Sequence, residues 1–94
     1  MKELEICKML TLSTAHIKVE TAIYLNDTAR EHLSVYPKLD FGWFIFIDTG
    51  YLEEELPFVP EDLATLILFT EKQGCSWLCL DCDGETIDEL PTYN

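Results

Sequence analysis

The spacing of apolar positions changes along the chain and divides the first half into predicted strands and one helix. Apolar residues alternate with period two over residues 4–12, which predicts a strand. They then recur at helical spacing, which predicts a helix over residues 17–32. Residues 34–37 form a short predicted strand, and Pro37 places it at a sheet edge because proline cannot donate to a strand ladder.

The second half begins with a continuous apolar run over residues 41–47, rich in strand-forming side chains. A second helix is predicted to begin at Pro60 and to end at Gly74, where a C-terminal cap belongs. Residues 77–81 form the next predicted strand, and residues 86–94 are expected to add an edge strand. The predicted order is therefore β-α-β-β-α-β with a short extension.

That order predicts a single α+β domain over residues 1–94 with a ferredoxin-like fold. In such a fold two helices cover one face of a four-stranded antiparallel sheet. The predicted strands 41–47 and 77–81 are nevertheless apolar on both faces, whereas a sheet covered on one side only should show polar residues on the other. We therefore expect Trp43 and Trp77 to form a sheet-face interface, covered by a second copy of the chain, another protein or the C-terminal tail.

The formal net charge is −12, and it is unevenly distributed. Residues 1–47 hold six acids and five bases, whereas residues 48–94 hold twelve acids and one base. Such a field repels nucleic acid and attracts basic proteins. The sequence therefore predicts no direct contact with nucleic acid and a basic protein partner. The candidate partner-binding acidic residues are Glu53, Glu54, Glu55, Asp83, Glu85, Asp88 and Glu89.

Two further features indicate a cytoplasmic protein that does not engage membranes. No apolar run approaches the roughly 20 residues that span a bilayer, and the first residues lack the pattern of a signal peptide. Three of the four cysteines fall between residues 75 and 82, unlike the dispersed spacing of secreted disulfide scaffolds. Reduced thiols are therefore expected.

Two motifs near the C-terminus suggest chemistry but lack the rest of a site. Asp81 and Asp83 follow a strand as in the haloacid-dehalogenase phosphatases, yet only eleven residues follow Asp83 and none is basic. Cys75, Cys79 and Cys82 have the spacing of a radical-SAM cluster, yet a strand would turn alternate side chains to opposite faces. We expect no catalytic residue, no cofactor and no metal.

His16 is the side chain most suited to a functional role, because it lies between the first strand and the first helix. Candidate ligand contacts are His16, Thr14 and Asp48. In the predicted topology His16 lies at the same end of the sheet as Asp48 and Cys75. The same topology places three carboxylates at the opposite end: Asp40, Asp81 and Asp83.

Five further segments carry a family pattern: Ser13–Ile17, Gly42–Ile47, Val59–Leu66, Gly74–Gly84 and Leu90–Asn94. Together they resemble an uncharacterised bacterial domain-of-unknown-function family of short proteins. The resemblance implies a mobile-element context, because such proteins often lie on plasmids, integrated elements and phages. It implies no known activity and transfers no catalytic residue.

The leading hypothesis is a non-enzymatic interaction module whose acidic half engages a basic partner, with mimicry of phosphate charge as one form of that function. A small-ligand binder or minor enzyme with a site near His16 is the first alternative. A dimeric accessory domain, held together by the second face of the sheet, is the second.

Overall fold

The computed structural model describes residues 4–27, 29–47 and 52–93. Within these ranges the chain forms a sheet and three α-helices, joined in three places by single turns of 3-10 helix at Thr14–His16, Ala29–Glu31 and Leu56–Phe58. The strands are β1 (Met9–Ser13), β2 (Ser34–Lys38), β3 (Gly42–Phe46) and β4 (Trp77–Asp81). The helices are α1 (Val19–Asp27), α2 (Leu52–Glu55) and α3 (Glu61–Lys72).

The sheet has the strand order β1-β4-β3-β2 and is mixed. β1 and β4 are parallel neighbours, with Met9 opposite Trp77 and Ser13 opposite Asp81. The β4–β3 and β3–β2 pairs are antiparallel. β1 and β2 are therefore the two edge strands, which confirms the edge position predicted from Pro37.

The α+β class is confirmed, but the prediction of an antiparallel, ferredoxin-like sheet is wrong. In that fold each helix connects two parallel strands, whereas α3 connects β3 to its antiparallel neighbour β4. The difference arises between β3 and α3, in the segment between the predicted strand 41–47 and the helix predicted from Pro60. There α2 and the turn Leu56–Phe58 take the chain back to the edge from which β3 started, so α3 runs antiparallel to β4.

The first strand and the first helix are shorter than predicted. β1 starts at Met9 because its only neighbour, β4, starts at Trp77, and the chain before Trp77 bends away. Residues 4–8 therefore lie outside the sheet. The predicted helix over residues 17–32 becomes α1 followed by the 3-10 turn at Ala29–Glu31.

The hydrophobic core lies between one face of the sheet and the helices. Gly42 is required where β3 passes β4, because a Cβ there would lie 1.6 Å from the carbonyl oxygen of Leu80. No helix in the described part of the chain is long and apolar enough to cross a membrane. The core residues include Leu12, Val35, Ile45, Leu78 and Leu80 from the strands and Leu25, Leu63, Leu66 and Ile67 from α1 and α3.

The opposite face of the sheet carries an aromatic cluster that the helices do not cover. The ring of Trp77 lies 5.1 Å from that of Phe46 and 6.0 Å from that of Tyr36, and Tyr36 remains 53% exposed. Trp43 is on the other face, because it pairs with Leu80, which points into the core. The expectation that Trp43 and Trp77 share one face is therefore wrong.

Candidate functional site

The parallel pairing of β1 and β4 brings their C-terminal ends together at one end of the sheet. We call this end the His16 edge; it runs across the strand ends and is distinct from the edge strands β1 and β2. Ser13 lies opposite Asp81, and the turn that holds His16 follows Ser13 directly. Asp83 follows β4 by two residues and lies at this edge as well. The prediction that His16 and these aspartates lie at opposite ends is therefore wrong, because it assumed an antiparallel sheet.

The residues predicted beside His16 are not brought to it. Cys75 precedes β4, so it lies at the opposite edge, next to Ser76, whose carbonyl oxygen accepts a hydrogen bond from the N–H of Ile47. Asp48, the third candidate ligand contact, lies outside the described residues. Thr14 does lie beside His16, in the same 3-10 turn.

The His16 ring is buried, with 1% of its surface exposed, and both of its nitrogens are engaged. Nδ1 donates to the carbonyl oxygen of Pro91 at 2.7 Å, because a carbonyl can only accept. Nε2 accepts from the N–H of Ile87 at 3.1 Å. The ring is therefore in its neutral Nδ1–H form and serves as an anchor, which leaves no nitrogen for a ligand.

His16 holds a C-terminal segment, residues 85–93, against the edge of the sheet. The same segment is bound by two backbone hydrogen bonds. The N–H of Ser13 donates to the carbonyl oxygen of Glu85 at 3.0 Å, and the N–H of Tyr93 donates to the carbonyl oxygen of Ala15 at 2.7 Å. The edge strand predicted for these residues does not form; the segment is irregular and follows the turn at Thr14–His16 instead.

Asp62 is a second buried polar residue at this edge, with 9% of its surface exposed. Its carboxylate accepts from the N–H of Lys18 at 2.7 Å and from the Thr21 hydroxyl at 2.6 Å. Asp62 thus caps the start of α1, although it belongs to the first turn of α3. The sequence shows only that Asp62 suits the start of its own helix, and no local pattern reveals a contact 41 residues away.

A cleft of about 640 Å³ opens between the start of α1, the turn joining β2 to β3, and Tyr93. Its volume falls within the range of small-molecule sites. Trp43 presents its ring there while its Nε1 donates to Asn26 Oδ1 at 3.0 Å, and Lys18 Nζ lies 5.2 Å from the centre of the Tyr93 ring. Polar and aromatic residues in the lining include Thr14, Lys18, Asn26, Asp40, Trp43 and Tyr93.

The cleft accounts for part of the predicted site and adds to it. Thr14 lines the cleft, whereas His16 does not. Lys18, Asn26 and Tyr93 could not be placed there from sequence, because Asn26 binds Trp43 across the fold and Tyr93 reaches the cleft through the bonds that hold the C-terminal segment.

Asp81 forms an ion pair with Lys38 on the uncovered face of the sheet, beside the same edge. The hydrogen bond from Lys38 holds the pKa of the Asp81 carboxyl below its usual 3.8, and the N–H of Asp83 acts in the same direction. The hydrogen bond to Asp81 raises the pKa of the Lys38 ammonium. Asp83 N–H donates to Asp81 Oδ1 at 2.9 Å, so the Asp-x-Asp sequence closes a turn.

The three clustered cysteines do not converge. Cys79 is buried within β4, with 1% of its surface exposed. Cys75 precedes this strand and Cys82 follows it, so the length of β4 separates them. This arrangement agrees with the prediction that the spacing reflects a strand and its two ends.

The predicted acidic surface divides into two groups at opposite edges of the sheet. Glu53 and Glu54 are exposed on α2. Glu55 Oε2 binds His32 Nδ1 at 2.7 Å, and His32 lies just before β2, at the edge where Met9 and Trp77 lie. The exposed acids of the second group lie at the His16 edge: Asp83, Glu85, Asp88 and Glu89.

A family model described as the C-terminal domain of a family of unknown function, DUF5983, matches residues 9–94. No curated protein and no solved structure matches the chain.

Replacing His16 by Phe should destabilise the protein by about 2–4 kcal/mol, because the Pro91 carbonyl and the Ile87 N–H, both in partly buried bonds, lose their hydrogen-bond partners. Urea unfolding gives this value, and hydrogen exchange should show faster exchange at Ile87 and Tyr93. His32→Phe is the matched control, since His32 is half-exposed and bonded to one carboxylate; it should cost less than about 1 kcal/mol. Equal losses for the two variants would contradict the anchoring role of His16.

Replacing Asp81 by Asn should lower stability at neutral pH but not in strong acid. The lowered pKa of Asp81 means that its pairing with Lys38 stabilises the fold above the usual pKa of 3.8 and is lost as the pH falls through the folded-state value. The free energies of unfolding of the two proteins should therefore converge as the pH falls below the folded-state pKa of Asp81, because the carboxyl is then protonated in both the folded and the unfolded state. Asp88→Asn is the exposed control, and a gap for Asp81→Asn that persists in acid would exclude the ion pair as its cause.

Proposed function

We propose that this chain, which belongs to the DUF5983 family of unknown function, is a non-enzymatic interaction module that engages a basic protein partner. The acidic group at the His16 edge, Asp83, Glu85, Asp88 and Glu89, is the proposed contact surface. The observation that supports this most is the anchoring of that group by His16 and by the backbone bonds of residues 13–16.

The anchoring matters because it holds the charges in a fixed arrangement. Residues 83–89 contain four acids and no base, and each of the four acids is exposed. Other acids of the second half have internal roles: Asp62 caps α1, and Asp81 pairs with Lys38. A charged surface that is already ordered loses less conformational entropy on binding than a flexible tail would.

Proteins that bind nucleic acid have surfaces of complementary, positive charge. A row of fixed carboxylates could occupy such a surface in place of phosphates, which is the form of partner that charge mimicry predicts. The proposal therefore favours a partner whose own binding to nucleic acid this chain would block. The mobile-element context implied by the family resemblance is compatible with that kind of partner and forms part of the proposal.

Neutralising the four acids at the His16 edge should abolish capture of the partner, because the field that attracts it is removed. The variant carries Asp83→Asn, Glu85→Gln, Asp88→Asn and Glu89→Gln, and the assay is a pull-down from host lysate at about 50 mM and about 500 mM salt. The wild-type chain should enrich a basic, nucleic-acid-binding protein at low salt and release it at high salt.

The matched control neutralises Glu53 and Glu54, which lie on α2 at the other edge. It should retain the partner, since that edge is not the proposed surface. Loss of capture in the α2 variant alone would move the surface to α2. Capture that survives high salt, or that survives neutralisation of both groups, would contradict an electrostatic partner surface.

A second candidate function, small-ligand binding, is supported by the cleft of about 640 Å³ beside α1. The hypothesis of a site near His16 predicts a pocket at this edge, and the cleft lies there. Its polar groups come from Thr14, Lys18, Asn26 and Asp40 and not from the His16 ring.

A ligand in the cleft should change the fluorescence of Trp43 and raise the melting temperature. Trp77→Phe provides a background in which Trp43 is the only tryptophan, because the sequence contains two. A metabolite library is screened by thermal shift. Asn26→Ala removes the hydrogen bond that holds the Trp43 ring and should therefore weaken the binding of any compound found. Stabilisation that Asn26→Ala leaves unchanged would place the compound elsewhere.

A further inference from the structure

Within residues 4–27, 29–47 and 52–93, β1 has one neighbour in the sheet, β4, and its other side is an open edge. The N–H of Trp77 donates to the carbonyl oxygen of Lys8, which directs that carbonyl toward β4. Backbone groups alternate in direction along a strand, so the N–H and C=O of Met9 and Thr11 point outward. Ser13 lies two residues after Thr11 and follows the same alternation, because its N–H donates to the carbonyl oxygen of Glu85 and not to β4.

The two outer strands of the sheet, β1 and β2, differ in how their unpaired sides are protected. β2 carries Pro37, which blocks the addition of another strand at that edge. The C-terminal segment protects β1 only at Ser13. Within the described residues nothing pairs with the outward groups of Met9 and Thr11, and both residues are exposed. This stretch is therefore open to strand addition.

The residues just before β1 add apolar surface to the open edge. Leu4 and Ile6 are 80% and 83% exposed, which is among the highest exposures of large apolar side chains in the described chain. They continue the period-two pattern of Leu10 and Leu12, so a strand extended through them would place all four side chains on the helix-covered face. Residues 4–12 thus have the pattern of a long strand of which only the last part is paired.

We infer that residues 4–12 pair with the same residues of a second copy of this chain, in antiparallel orientation, to form a continuous sheet across a two-fold axis. The outward backbone groups of Met9 and Thr11 supply the ladder, and the exposed Leu4 and Ile6 supply the apolar contacts. A second copy fits because one strand provides both halves of this self-complementary surface.

The two-fold symmetry limits the register. Residues opposite each other must lie on the same face, so each residue pairs with one an even number of positions away. A register with Lys8 on the axis places Ile6 beside Leu10 of the partner subunit and Leu4 beside Leu12 of the partner subunit. It also brings the two Lys8 ammonium groups together, which opposes the pairing until salt screens them. Apolar side chains that are exposed in one chain then extend the core of the other.

Charge also favours this surface over the rest of the molecule. Two chains of net charge −12 repel each other, so they can associate only where the negative charge is locally small. Residues 4–13 carry Glu5 and Lys8 and are neutral in sum. Added salt should therefore tighten the dimer by screening the repulsion, whereas it weakens binding of a basic partner.

Replacing Thr11 by Pro tests the inference, because proline removes an outward N–H and is tolerated at such a position in an edge strand. Sedimentation velocity in reducing buffer, on a Cys7→Ser background that excludes a disulfide, should show a reversible dimer for the parent chain. Thr11→Pro should weaken the dimer at least about tenfold, whereas Thr11→Ala should leave it within about a factor of two.

Two more variants keep the result interpretable. Ile6→Glu, outside the sheet and thus harmless to the fold, should weaken the dimer as Thr11→Pro does. Tyr36→Glu, on the uncovered aromatic face, should leave it unchanged. A parent chain that remains monomeric at about 1 mM overturns the inference. So does a dimer that Tyr36→Glu disrupts while Ile6→Glu and Thr11→Pro do not, because the sheet face would then be the interface.

Discussion

The parallel pairing of β1 with β4 determines what each edge of the sheet contains. It places the ends of both strands together, so the turn with His16, the turn after Asp81 and the C-terminal segment meet at one edge. An antiparallel pairing would have put His16 and Asp81 at opposite edges. The cleft beside α1 and the anchored acidic group both follow from that one choice of strand direction.

Several features could be predicted from sequence because their causes are local. The apolar run before Asp81 identifies β4, Pro60 and Gly74 bound α3 to within a residue or two, and Pro37 identifies an edge strand. Strand order could not be predicted in this way, because it depends on α2, whose sequence, dominated by consecutive glutamates, resembles a loop. The role of Asp62 could not be predicted either, because its hydrogen bonds join residues far apart in the chain.

The segments that carry the family resemblance have structural roles at the edge with His16. His16 itself binds Pro91 and Ile87, which lie in or near the last of those segments. Gly42 leaves room for the backbone of Leu80, and the N–H of Cys82 donates to Phe41. These residues thus contribute to the assembly of one edge of the sheet. Function is better sought in exposed side chains that this framework holds in place.

The position of β1 has a consequence for how the protein folds during synthesis. Its first residue, Met9, pairs with Trp77, so 68 positions separate the two strands in the chain. Such a non-local contact forms slowly, because a long loop must close before the contact is made. β1 is synthesised first among the strands but has no neighbour until β4 and the anchoring segment after it have emerged. In that interval Leu10 and Leu12 are exposed along an open edge, and a nascent chain of this protein is most prone to misassociation there.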